Sequence, residues 1–193
     1  MFSLKFAARY ILHRFKAINR HGLHSPFVYR MVDKVIYDYT DKKVYADIQN
    51  LNQHDKKLNR VQKLLYRLVH DYAPQHVVLV NQISATEQLI IKTAAPLAPI
   101  QAAQSPNGAK ADLIILDARQ HSQNLYQHFE ESLTAIHENS MLLILNIHSN
   151  DAAQKAWHRI KAHPQVTVTV DLFWITLVYF RKGQVREDFL IRY

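Results

Sequence analysis

Two short stretches carry side chains able to do chemistry together. In ADLIILDARQH, Asp117 and His121 lie four residues apart at the end of an apolar run; in LILNIHSN, Asn146 and His148 close another. A carboxylate, an amide oxygen and two imidazoles could ligate a divalent cation, and Asp117 or His148 could instead serve as a catalytic base. Their spacing is not that of a zinc site, so helix capping by Asp117 and strand termination at Asn146 and His148 compete with that reading. A third stretch, HVVLVNQISATEQLI, runs from an apolar strand through a short loop into a helix. Nucleotide-binding α/β proteins place glycines in such a turn, where the backbone approaches the cofactor. Residues 81 to 85 contain none, although Asn81 tolerates a left-handed backbone. Walker loops and Ser-His-Asp arrangements are not recognisable. Cysteine is absent, which excludes disulfides, thiolate metal sites and Cys nucleophiles, and fits a reducing, cytoplasmic setting.

The elements holding these residues follow from periodicity. LNRVQKLLYRLVHDY has helical spacing. Beyond it, the runs HVVLV, PIQAA, ADLIILDA and SMLLILNIH alternate with the helical stretches TEQLIIKTAAPLA, SQNLYQHFEESLTAIHE and DAAQKAWHRIKAH. Alternation of apolar strands with helices predicts a doubly wound, mostly parallel α/β sheet covered on both faces. QVTVTVDLF and ITLVYFRKG are too close together for a crossover helix, so they form an antiparallel hairpin. Phe173, Trp174, Tyr179 and Phe180 read as sheet packing rather than a base-stacking platform.

The first 57 residues form a separate basic helical arm and linker, and residues 58 to 193 the α/β domain. Leu4, Ala7, Ala8, Ile11, Leu12, Phe15 and Ile18 recur at helical spacing, while Lys5, Arg9, Lys16 and Arg20 share another face. No acid precedes Asp33, and the chain carries a net charge of +8. The apolar stripe is expected to pack on the domain; docking on an anionic membrane surface through residues 1 to 20, or on nucleic acid, are the alternatives. Gly22, Ser25 and Pro26 then end one helix and begin another, expected to reach Tyr39. The polar stretch from 41 to 59 reads as a linker.

RHGLHSPFVYRMVDKVIYD, ADLIILDARQH and the C-terminal block from LILNIHSNDAAQKAW to DFLIRY together resemble the class I S-adenosylmethionine-dependent methyltransferase-like proteins of Bacteroidetes, whose N-terminal block contains HSPF. The resemblance implies a Rossmann-like methyltransferase sheet and a cofactor loop of the type E-L-G-T-S-L-G after the first strand. It also implies an acid at the end of the second strand to accept the ribose hydroxyls. In this chain Leu79 stands where the acid would be, Asn81 and Ala85 where the glycines would be, and Gln101 at the ribose position. The connection after Gln101 is also short by about one helix and strand. Asp117 and His148 match the family's D-G-N-H and D-D-I-H-W positions.

These departures predict a degenerate, shortened member without bound S-adenosylmethionine, acting as a binding or scaffold protein with a protein partner or a second copy of itself. The alternatives are an active O-methyltransferase that uses S-adenosylmethionine through an atypical loop, and a charge-driven binder at the inner membrane or on nucleic acid.

Overall fold

The computed structural model describes residues 4–52, 57–102, 110–120 and 122–193. Helix α1 (Leu4–Lys16) leads through a 3₁₀ turn at Arg20–Gly22 to α2 (Pro26–Met31), which widens into a π turn at Val32–Ile36. Helices α3 (Lys43–Leu51) and α4 (Arg60–Tyr72) follow. The α/β part then runs β1 (Val77–Leu79), α5 (Ala85–Ala94), β2 (Ile100–Ala102), β3 (Leu113–Asp117), α6 (Leu125–Ser132), β4 (Met141–Leu145) and α7 (Asp151–Ala162). It ends with β5 (Val168–Asp171), β6 (Ile175–Tyr179) and β7 (Glu187–Leu190).

The seven strands form one sheet in the order β2-β1-β3-β4-β6-β5-β7. Pairing is parallel from β2 to β4, and β6 is antiparallel to both of its neighbours. The hairpin is therefore present as expected. β7 extends the sheet by pairing parallel to β5. Among the described residues β2 and β7 are the two edges of the sheet.

Alternation along β3 and β4 sorts the core into two layers, because successive side chains point to opposite faces. Leu113, Ile115, Met141 and Leu143 pack with α2, α4 and α5, while Ile114, Leu116, Leu142 and Ile144 pack with α6 and α7 around Phe129 and Trp157.

Three expectations change on the N-terminal side. The stretch read as a linker contains α3, which buries Tyr45 and Ile48; its polar residues had masked a two-turn apolar spacing. The second helix stops at Ile36, where Arg67 reaches in from α4 to take the Val35 and Ile36 carbonyls at 2.8 and 3.2 Å. The apolar stripe of α1 does not pack on the domain. Phe6, Arg9, Tyr10, His13 and Ala17 face inward instead, and Leu4, Ile11, Leu12 and Phe15 are exposed. Residues on both sides of position 57, from Leu23 to Tyr193, share one apolar cluster. No helix among the described residues is long and apolar enough to cross a membrane.

Candidate functional site

Open α/β sheets bind ligands beyond the carboxyl ends of their strands. The ends of β1 and β3 here are tied together. Asn81 accepts from the Asp117 N–H at 2.8 Å and donates to the Asp117 carbonyl at 2.8 Å and the Gln120 carbonyl at 3.3 Å. Its side chain thus extends the ladder between the strands by one rung. Asn81 is not among the described residues with positive φ; the left-handed asparagine is Asn146, at φ 60°. Ile83 turns into the core, and Ser84 caps α5 while Glu87 reaches back to the Ser84 N–H at 2.9 Å. That capping box takes up the Ser84 and Glu87 N–H groups and sets a carboxylate at the N-terminus of α5, which disfavours an anionic ligand there.

Asp117 is 1% exposed and fully engaged. Arg119 donates to its Oδ2 at 2.6 and 3.0 Å, and the Arg119 backbone N–H donates to Oδ1 at 2.9 Å. Asn146 donates to the same Oδ1 at 3.2 Å. Hydrogen bonding to Asp117 holds the Arg119 guanidinium above its ordinary pKa against the cost of desolvation, with Asp117 and Glu87 adding attraction. Glu87 lies 3.5 Å from the same guanidinium. A cleft of about 410 Å³ remains, lined by Gln82, Ile83, Ser84, Ala85, Asp117, Arg119 and Gln120. The cation at its wall belongs to the protein. Leu79 and Gln101 are half-buried at the adjoining strand ends. Of the four residues singled out in the sequence, Asp117 and Asn146 meet, while His121 lies outside the described residues.

His148 belongs to a second constellation, beneath α1. Its Nε2 is 2.9 Å from Asp171 Oδ2, and His13 Nε2 lies 3.2 Å both from the Asp171 backbone carbonyl and from Asp171 Oδ1. A carboxylate accepts, so both imidazoles donate through Nε2. Gln154 donates to His148 Nδ1 at 2.6 Å, which fits that tautomer. Asp171 also accepts the Phe173 N–H at 2.8 Å. Burial pushes the Asp171 carboxyl up, but the hydrogen bonds from His13 and His148 outweigh it and hold the group well below the ordinary carboxylate range. Phe173, at φ 74°, stacks on His148 with centroids 4.6 Å apart and meets Phe6 and Tyr10 edge-on. The donor atoms of His13, His148 and Asp171 lie within 4.8 Å of one another and could gather around a cation, yet each is already spent on another member of the group. At 9% exposure His148 is sealed from any substrate in the cleft.

This arrangement explains what the sequence reading passed over. Arg119 sits two residues beyond Asp117, at a spacing that no sequence motif marks. His13 shares a helix face with Phe6, Tyr10 and Ala17, a spacing that the more conspicuous apolar stripe concealed.

No protein-family profile and no curated protein sequence matches the chain. Solved structures do. The S-adenosylhomocysteine-bound methyltransferase of Podospora anserina superposes with a TM-score of 0.53 at 9% identity, covering 94% of this chain and 98% of that one. A putative caffeoyl-CoA O-methyltransferase from Staphylococcus aureus gives a TM-score of 0.52 at 8% identity, over 92% of this chain and 100% of that one. A methyltransferase from Geobacter sulfurreducens gives 0.51 at 15% identity, over 73% and 90%. The chain has the methyltransferase fold. At these identities the likeness concerns backbone architecture alone, and function must be argued from the site.

Proposed function

We propose that this methyltransferase-fold protein has given up S-adenosylmethionine and acts as a binding protein. The observation that carries the reading is the Asp117–Arg119–Glu87 knot, which sets a guanidinium at the wall of the crevice and consumes the carboxylate at the end of β3. The residues at the cofactor positions do not fit the group. Leu79 offers no acceptor, Asn81 spends both ends of its amide on Asp117, and Gln101 replaces a charge-assisted hydrogen bond with a neutral one of roughly half the strength. The α5 N-terminus is capped by Ser84, with the Glu87 carboxylate turned back onto the Ser84 N–H. The two residues that the sequence offers for catalysis are both withdrawn, Asp117 into the knot and His148 beneath α1.

Calorimetric titration of the full chain with S-adenosylmethionine and S-adenosylhomocysteine tests this. The expected result is no saturable heat; one-to-one binding at micromolar concentration overturns it. The open 410 Å³ cleft beside residues 82 to 85 favours a second reading, an active O-methyltransferase with an atypical loop. Transfer of labelled methyl groups from S-adenosylmethionine to extract components would support that reading, and failure to bind either ligand would remove it.

A further inference from the structure

Helix α1 is attached by one face and presents the other to water. On its inner side Phe6 and Tyr10 pack on Phe173 and Trp174, Arg9 pairs with Asp151, and His13 joins Asp171. On its outer side Leu4 is 92% exposed, Phe15 82%, Leu12 57% and Ile11 53%. A helix with a free choice of face would bury the leucines and the phenylalanine, because each is worth more in a core than a histidine or an arginine. The inward ion pairs and ring contacts instead fix the stripe outward, as a continuous apolar ridge of the kind that marks an interaction surface.

The flanks of the ridge identify its occupant. At 100° per residue, Lys5 and Lys16 border one side and Arg14 the other. Arg192 lines the shallow groove that Ile11, Arg14 and Phe15 share. Asp151, the acid that meets the basic flank of α1, is taken by Lys5 and Arg9. A second copy docked on the same ridge would add a second set of Arg14, Lys16 and Arg192 along the seam and crowd like charges there. Nucleic acid would meet the cations but leave the ridge wet. An anionic bilayer satisfies both parts: apolar side chains enter the acyl boundary while long basic ones reach back to the phosphates.

We propose that α1 is an interfacial membrane anchor. It lies in the plane of an anionic bilayer with Leu4, Ile11, Leu12 and Phe15 immersed and Arg14 and Lys16 among the lipid phosphates. This names a partner for the binding role proposed above and rests on that role only for its biological sense. The geometry of α1 stands if the cleft binds a cofactor, and the two experiments fail separately.

The test is co-sedimentation of the full chain with vesicles of phosphatidylcholine alone and of phosphatidylcholine mixed with phosphatidylglycerol, across a salt series. The wild-type protein is expected to partition onto the mixed vesicles and to weaken as salt rises. The double substitution Leu12→Ser and Phe15→Ser changes exposed positions and leaves circular dichroism unchanged. Its partition constant is expected to fall on the order of a hundredfold. Arg14→Gln and Lys16→Gln are each expected to lower it by roughly fivefold. Three results overturn the proposal: no binding to mixed vesicles, equal binding by the serine variant, or a concentration-dependent dimer that the serine variant loses while vesicles bind neither form.

Discussion

Replacing Asp171 with alanine removes the acceptor on which the α1 attachment converges. Asp171 is 2% exposed; its carboxylate receives the Phe173 N–H at 2.8 Å and His148 Nε2 at 2.9 Å, and its Oδ1 lies 3.2 Å from His13 Nε2, which also reaches the Asp171 backbone carbonyl that alanine retains. Water cannot easily reach the donors left behind, so the variant bears the cost of stranding them as well as the loss of the bonds. Removing one partner of a buried, hydrogen-bonded charge cluster costs about 3–5 kcal/mol. That is a large part of a domain stability of roughly 5–15 kcal/mol. Equilibrium urea unfolding, followed by the fluorescence of Trp174 against Phe173, measures the difference. Proteolysis before Ile18 should accelerate in parallel, since α1 loses its tether. The pH dependence carries the same information. The folded-state pKa of Asp171 lies below its unfolded value, so its stabilisation is fully present above about pH 4 and is lost as pH falls through the folded value. The difference between wild type and Asp171→Ala should therefore narrow below about pH 4. A loss under about 1 kcal/mol at neutral pH, the size of a single ordinary hydrogen bond, would refute the reasoning.

Further outcomes can be checked by thermal or urea denaturation. Phe173→Ala empties the space between His148, Phe6 and Tyr10 while keeping the left-handed backbone, and should cost about 3–5 kcal/mol. Ser84→Ala breaks the α5 capping box and should lower stability by about 1 kcal/mol, roughly 2–4 °C in Tm. Ala73→Gly relieves a left-handed alanine at the end of α4 and should stabilise by about 0.5–1 kcal/mol. Arg67→Met keeps the volume but strands the Val35 and Ile36 carbonyls of the π turn, and should cost about 3 kcal/mol in urea unfolding.

What the sequence determined by itself was the sheet. The runs LIIL and MLLIL are apolar at every position because both faces of β3 and β4 are covered, and the short interval between QVTVTVDLF and ITLVYFRKG leaves room for nothing but a hairpin. These are local rules with a period of two residues or a loop length, so a linear string states them.

Tertiary structure alone decided which groups the site's side chains answer to. Arg119 is exposed enough to be read as a solvated charge until the fold sets Glu87 opposite it. His148 looked free to act as a base until Asp171 arrived from β5, 23 residues later, and His13 from the far end of the chain. The orientation of α1 is the clearest case. Periodicity marks its apolar stripe but carries no information on which face meets the protein; that depended on Phe173, Trp174 and Asp171 gathering at one end of the sheet to offer rings and a carboxylate. The energy of that match is a property of three separated segments brought together in space, and no window along the sequence contains it.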